Sequence, residues 1–107
     1  MVHGFFQRHQ NRLLFGVLKH LHCGELRLVM PNGGEHFFTG PIAGPKADLH
    51  IHNDAAVGRI LRDGKMGFCE AFMDGDVSSN NLPAFIEMAA RHDQYLEERL
   101  KTSLLRK

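Results

Sequence analysis

Four groups of residues in this 107-residue chain have types and spacings that could do chemistry. His50 and His52 alternate as they would on one face of a strand, and His20, His22 and Cys23 stand close together, so both sets offer nitrogen or sulfur to a metal. Neither has the Cys-x-x-Cys, His-Glu-x-x-His or facial-triad spacing that makes a metal site convincing, and surface imidazoles are the simpler account. Asp74 and Asp76 form a carboxylate pair of the kind used in general acid–base work, but within Asp74-Gly-Asp-Val-Ser-Ser-Asn80 they read as a solvated loop. The third group is Met66, Phe68, Phe72 and Met73, followed after the loop by Phe85. Flexible thioethers and rigid rings adapt well to a mobile acyl chain, and they are equally the side chains of an ordinary core. The fourth group, Arg8, Arg12 and Lys19, has the charge to meet an anionic surface.

The elements that must position these residues follow from periodicity and punctuation. Gln7 to His22 reads as a helix: at 100° per residue Leu13, Leu14, Val17, Leu18 and Leu21 fall within about 140°, with Arg8, Arg12 and Lys19 within about 40° on the opposite side. Gly24 is expected to stop it. Glu25 to Met30 alternates as a half-buried strand, and Pro31-Asn-Gly-Gly34 should turn the chain back into a second strand at Glu35 to Thr39. Gly40-Pro-Ile-Ala-Gly-Pro45 reads as a stiff loop, with a third strand only at Ala47 to His52. Asn53 or Asp54 should cap a helix that stops at Gly64. Lys65 to Met73 has mixed periodicity. Asn80 or Asn81 caps a further helix with Pro83 in its first turn and Leu82, Phe85, Ile86 and Ala89 as its stripe. Asp93 interrupts that stripe before Leu96, Leu100 and Leu104 resume it, so the spacing favours a domain over 1–92 and a helical arm over 93–107. The element order gives an α+β domain with a small, largely antiparallel sheet.

Composition narrows the classes further. With 43% hydrophobic and 23% charged residues and a net charge of +1, the chain is neither disordered nor fibrous, and it is long enough to fold around one core without a disulfide or metal. No apolar run approaches the roughly 20 residues that span a bilayer. Cys23 and Cys69 fit free thiols in a reducing, cytoplasmic compartment. Residues 1–24 hold Arg8, Arg12, Lys19, four histidines and no acid, so the excess positive charge is concentrated there. The basic stripe has no interleaved aromatics, which argues against nucleic acid. No Gly-x-Ser-x-Gly element, serine beside a plausible base or phosphate-cradling loop is present.

Three stretches together carry a resemblance. Gly67-Phe-Cys-Glu-Ala-Phe-Met-Asp-Gly75 with Asn81-Leu-Pro-Ala-Phe-Ile-Glu87, Gly24-Glu-Leu-Arg-Leu-Val-Met-Pro-Asn-Gly33 and Ala47-Asp-Leu-His-Ile-His52 resemble, in order, segments of the N-terminal region of the bacterial cyclopropane-fatty-acyl-phospholipid synthase family. Cys69 stands where Gly or Ala is more usual there, and Phe72 where Tyr is typical. The resemblance implies a sterol-carrier-protein-like fold, in which a sheet and helices enclose an apolar lipid site. It also implies a short helix over Lys65 to Met73.

That family transfers a methylene group from S-adenosylmethionine to a phospholipid acyl chain, in a domain that follows this region. The nucleotide-binding βαβ unit which such chemistry requires is missing from these 107 residues. The chain is therefore expected not to be an enzyme on its own and to need no cofactor. Its expected role is to hold or present lipid and to self-associate. Met66, Phe68, Phe72, Met73 and Phe85 would contact lipid, while Arg8, Arg12 and Lys19 would touch the anionic inner face of the cell membrane. The expected partners are a phospholipid acyl chain or membrane surface, a methyltransferase domain or a second copy. The alternatives are an interaction module without a lipid site, docking a partner domain through the C-terminal arm, and, less favoured, a small metal-binding protein.

Overall fold

The computed structural model describes the backbone of residues 2–105 and the side chains of 6–95 and 97–102. Helix α1 (Val2–Leu18) leads into strand β1 (Cys23–Val29), β2 (Glu35–Thr39) and β3 (Ile42–Ile51). Helix α2 (Ala55–Met73), the two-residue strand β4 (Val77–Ser78) and helix α3 (Leu82–Leu105) complete the chain. The class is α+β, as the element order implies, but the sheet is mixed and not largely antiparallel. Its order is β2-β1-β3-β4, with β1 antiparallel to β2, β3 antiparallel to β4, and the central pair β1–β3 parallel. Two parallel neighbours need a long crossover, and here β2 and its two turns supply it.

The hairpin forms where the turn residues demand it. Gly33 N–H donates to the Met30 carbonyl, Met30 N–H to the Gly34 carbonyl, and Gly34 N–H to Asn32 Oδ1. Register then places Leu26 beside Phe38 and Leu28 beside His36 on one face, and Glu25, Arg27, Glu35 and Phe37 on the other. The first face meets the helices, with Leu26, Leu28, Leu49 and Ile51 almost wholly buried. The second is largely solvated and carries the pairs Arg27–Glu35 and Lys46–Glu25.

Two expectations are corrected at the start of β3. The strand begins at Ile42 and runs through Pro45, and Gly24 lies within β1 instead of ending the helix. The β1–β3 register shifts between Cys23 and Glu25, so a bulge absorbs the proline that cannot donate to a ladder. A Cβ on Gly24 would lie 2.3 Å from the Pro45 carbonyl oxygen, which is why a glycine stands there. The first helix accordingly closes early, with Leu21 N–H bonded to the Leu18 carbonyl.

Helix α2 is two segments joined at Gly64, whose backbone (φ 57°, ψ −128°) is not helical. The expected stop at Gly64 and the short helix after it are both present. Asn53 Oδ1 accepts from Ala55 N–H at the start of α2, and Asn81 Oδ1 from Ala84 N–H at the start of α3.

Helix α3 continues unbroken through Asp93. The carboxylate of Asp93 sits 3.2 Å from Lys65 Nζ, and the Tyr95 ring stacks on His22 with centroids 4.0 Å apart. A polar contact at the protein surface thus replaces the expected turn away from the core. Leu100 is exposed, while the side chains of Leu96 and Leu104 lie outside the described residues. Truncation after His92 should lower unfolding stability by about 1–2 kcal/mol, the sum expected for an exposed ion pair and an aromatic stack. Truncation after Arg99 should cost under about 0.5 kcal/mol. Urea denaturation of the two variants distinguishes them, and equal midpoints would show that residues 93–99 add nothing to the fold.

Candidate functional site

The second segment of α2 presents the apolar candidates on two sides. Phe68 points inward and stacks on Phe85 of α3, with centroids 5.0 Å apart and planes 30° apart; Phe72 follows at 6.3 Å from Phe68. Phe68 and Phe85 are half-buried against the core, so these rings tie α2 to α3. Met66 and Met73, seven residues apart and hence on one helix face, are 67% and 76% exposed. Cys69 lies between them on that face as an exposed free thiol, whereas Cys23 is buried. Met66 and Met73 thus project to solvent and Phe72 is 39% exposed, whereas Phe68 and Phe85 pack inward, so the five residues do not share one surface.

Two clefts of about 280 Å³ each lie elsewhere. One is lined by His22, Cys23, Ile42, Arg91, Gln94, Tyr95 and Glu98, the other by residues of α1, the β1–β2 turn, His36 and Asp54. Neither includes any of the five apolar residues, and both have mixed polar linings.

Asp74 and Asp76 are not free carboxylates. Arg59 Nη1 donates to Asp74 Oδ2 at 2.8 Å and to Asp76 Oδ2 at 3.4 Å, and Glu70 is 3.7 Å from its other nitrogen. The hydrogen bond to Asp74, reinforced by the charges of Asp74, Glu70 and Asp76, raises the Arg59 pKa against the opposing effect of burial. This cluster fastens the turn after α2 back onto its first segment, which fixes the angle at which Met66 to Met73 are displayed.

The outward face of β3 carries a polar network that the sequence did not reveal. Asp48, only 9% exposed, accepts from His50 Nε2 at 2.7 Å, Ser79 Oγ at 3.1 Å and Asn80 N–H at 3.0 Å. Burial pushes the Asp48 carboxyl up, but the bonds from Asn80, Ser79 and His50 outweigh it and hold its pKa below the ordinary value. His52 meets Ser78 Oγ at 2.7 Å. These contacts anchor the loop that launches α3. His50 and His52 do share one face, with ring centroids 6.3 Å apart, yet each is engaged by a different partner. Among the described residues no three His, Cys, Asp or Glu side chains are grouped to hold a metal.

Arg8, Arg12 and Lys19 are exposed, and none belongs to an ion pair formed among the described residues. Among the described residues no helix is long and apolar enough to cross a membrane. Comparison with protein-family models, with curated proteins and with solved structures finds no match.

Proposed function

We propose that this chain is a non-catalytic, lipid-facing module similar to the N-terminal region of cyclopropane-fatty-acyl-phospholipid synthases, contacting acyl chains through α2. The observation that carries the reading is the exposure of Met66 and Met73 on one face of a short helix segment, with Phe72 39% exposed next to Met73 in the chain. An acyl chain drawn from a bilayer exchanges one apolar surrounding for another, so the protein must only spare it the cost of about 0.8 kcal/mol per CH₂ in water. A projecting apolar surface meets that need if the chain stays in partial contact with the bilayer. The aromatic stack of Phe68 and Phe85 gives the surface a rigid base. In this reading the chain performs no reaction of its own and takes its chemistry from a methyltransferase domain or partner.

Native mass spectrometry of protein purified from bacteria should show a co-purifying phospholipid or fatty acid. Replacing Met66→Gln and Met73→Gln together should reduce that occupancy severalfold while leaving the circular dichroism spectrum unchanged, since both side chains are exposed. Calorimetry with S-adenosylmethionine should be flat. Binding of S-adenosylmethionine, or lipid-free protein under gentle extraction, would sink the reading.

The rival interaction module draws on the last turns of α3, where Glu97 to Thr102 are all exposed. That surface would dock a methyltransferase domain or a second copy, and it requires no lipid.

A further inference from the structure

Helix α1 buries only part of the face that its leucine periodicity marks. Phe15 packs on the rings of His36 and Phe38, Gln7 Nε2 donates to the Asp54 carbonyl, and Leu14 is sealed in the core. These contacts turn the helix so that Leu13 and Val17, expected inside, are 49% and 53% exposed, in line with Phe6 at 59%. At 100° per residue these three side chains fall within an arc of about 40°. They form an apolar ridge along the solvent side of α1. Arg8, Arg12 and Lys19 occupy the other shoulder of the same outward surface, with His9, Gly16 and His20 between the two stripes.

We infer that this outward surface of α1 docks the protein on an anionic lipid bilayer, with Phe6, Leu13 and Val17 entering the boundary between headgroups and acyl chains. The inference rests on the lipid-facing reading above and adds to it a separate element for membrane docking. Charge complementarity selects the occupant: residues 1–24 contain no acid, and the three cations are left unpaired among the described residues. A bilayer offers phosphates and hydrocarbon within a few ångströms of each other, which a helix with one cationic and one apolar shoulder matches. Lysine and arginine stems are long enough to reach the phosphates while the ridge sits deeper. Docking through both shoulders is stronger than charge attraction alone and is only partly released by salt.

The chain has no tryptophan, so one introduced indole reports its own surroundings. Leu13→Trp and, as a control on the solvated sheet face, Phe37→Trp are mixed with vesicles of phosphatidylglycerol and phosphatidylcholine, with and without brominated acyl chains. The indole at position 13 should shift to the blue and be quenched by bromine, while the one at 37 should stay in water. Changing Phe6, Leu13 and Val17 together to Ser should lower vesicle partitioning by roughly tenfold or more at high salt. The triple change of Arg8, Arg12 and Lys19 to Gln should act mainly at low salt. An unshifted, unquenched indole at 13 on protein that sediments with vesicles overturns the inference, and so does failure to sediment. The lipid reading of α2 fails on different grounds, the absence of co-purified lipid in mass spectrometry.

Discussion

Replacing Asp48→Ala should lower the free energy of unfolding by about 2–3 kcal/mol, measured by urea denaturation near neutral pH. The carboxylate is the common acceptor for Asn80 N–H, Ser79 Oγ and His50 Nε2, and methyl truncation strands all three donors at once. Ser79 and Asn80 retain access to water, which limits the loss. Asp48→Asn keeps one acceptor oxygen and should cost less, about 1 kcal/mol. The depressed Asp48 pKa also sets the direction of the pH dependence. Between the folded and unfolded values the unfolded chain binds the proton and the native protein does not, so stability rises with pH across that window. The Asp48 contribution is fully present above the unfolded carboxylate value of about 4 and disappears as pH falls through the lower folded value. An acid titration of stability should therefore lose that increment in Asp48→Asn, with the remaining carboxylates unchanged. Loss of under 0.5 kcal/mol for Asp48→Ala would mean that the loop before α3 does not depend on this network.

What could be read from the sequence was local. Pro31-Asn-Gly-Gly34 encodes its own turn, Asn81 its own cap and Gly64 its own break, because the groups that satisfy each are within a few residues. What could not be read depends on distant partners. Nothing in β1 or β3 specifies that they run parallel, and the passage of β3 through Pro45 depends on Gly24 across the bulge. Strand β4 has two residues, too few to leave an alternation. Asp48 alternates outward like any solvated strand residue, and its role appears only when residues 31 and 32 positions later fold over it. Helix α1 misled for a related reason. Its leucines define an apolar arc, but which part of that arc is buried is decided by where Phe15 docks. The apolar candidates Met66, Phe72 and Met73 were legible as residue types, whereas their projection from the surface follows from how α2 doubles back.

That doubling back makes Gly67→Ala the second large expected effect. After the break at Gly64, the chain passes so close to its own first segment that a Cβ on Gly67 would lie 2.1 Å from the Arg59 carbonyl oxygen and 2.7 Å from its carbon. Both are backbone atoms, so no side-chain rotation relieves the contact and one helix segment must move. Alanine would gain up to about 1 kcal/mol of helix propensity over glycine, and overpacking of this kind typically costs about 1–3 kcal/mol and sometimes more. A net loss of about 2 kcal/mol is expected. Gly16→Ala in α1 is the control, because nothing lies within 4 Å of its Cβ position and the propensity gain should appear as a slight stabilisation. The displaced segment carries Phe68 and its stack on Phe85, so Gly67→Ala should also reduce retained lipid without touching Met66 or Met73. If both alanine variants raise the denaturation midpoint alike, the two parts of α2 do not meet at Arg59. The surface they display would then lack the rigid base on which the lipid reading depends.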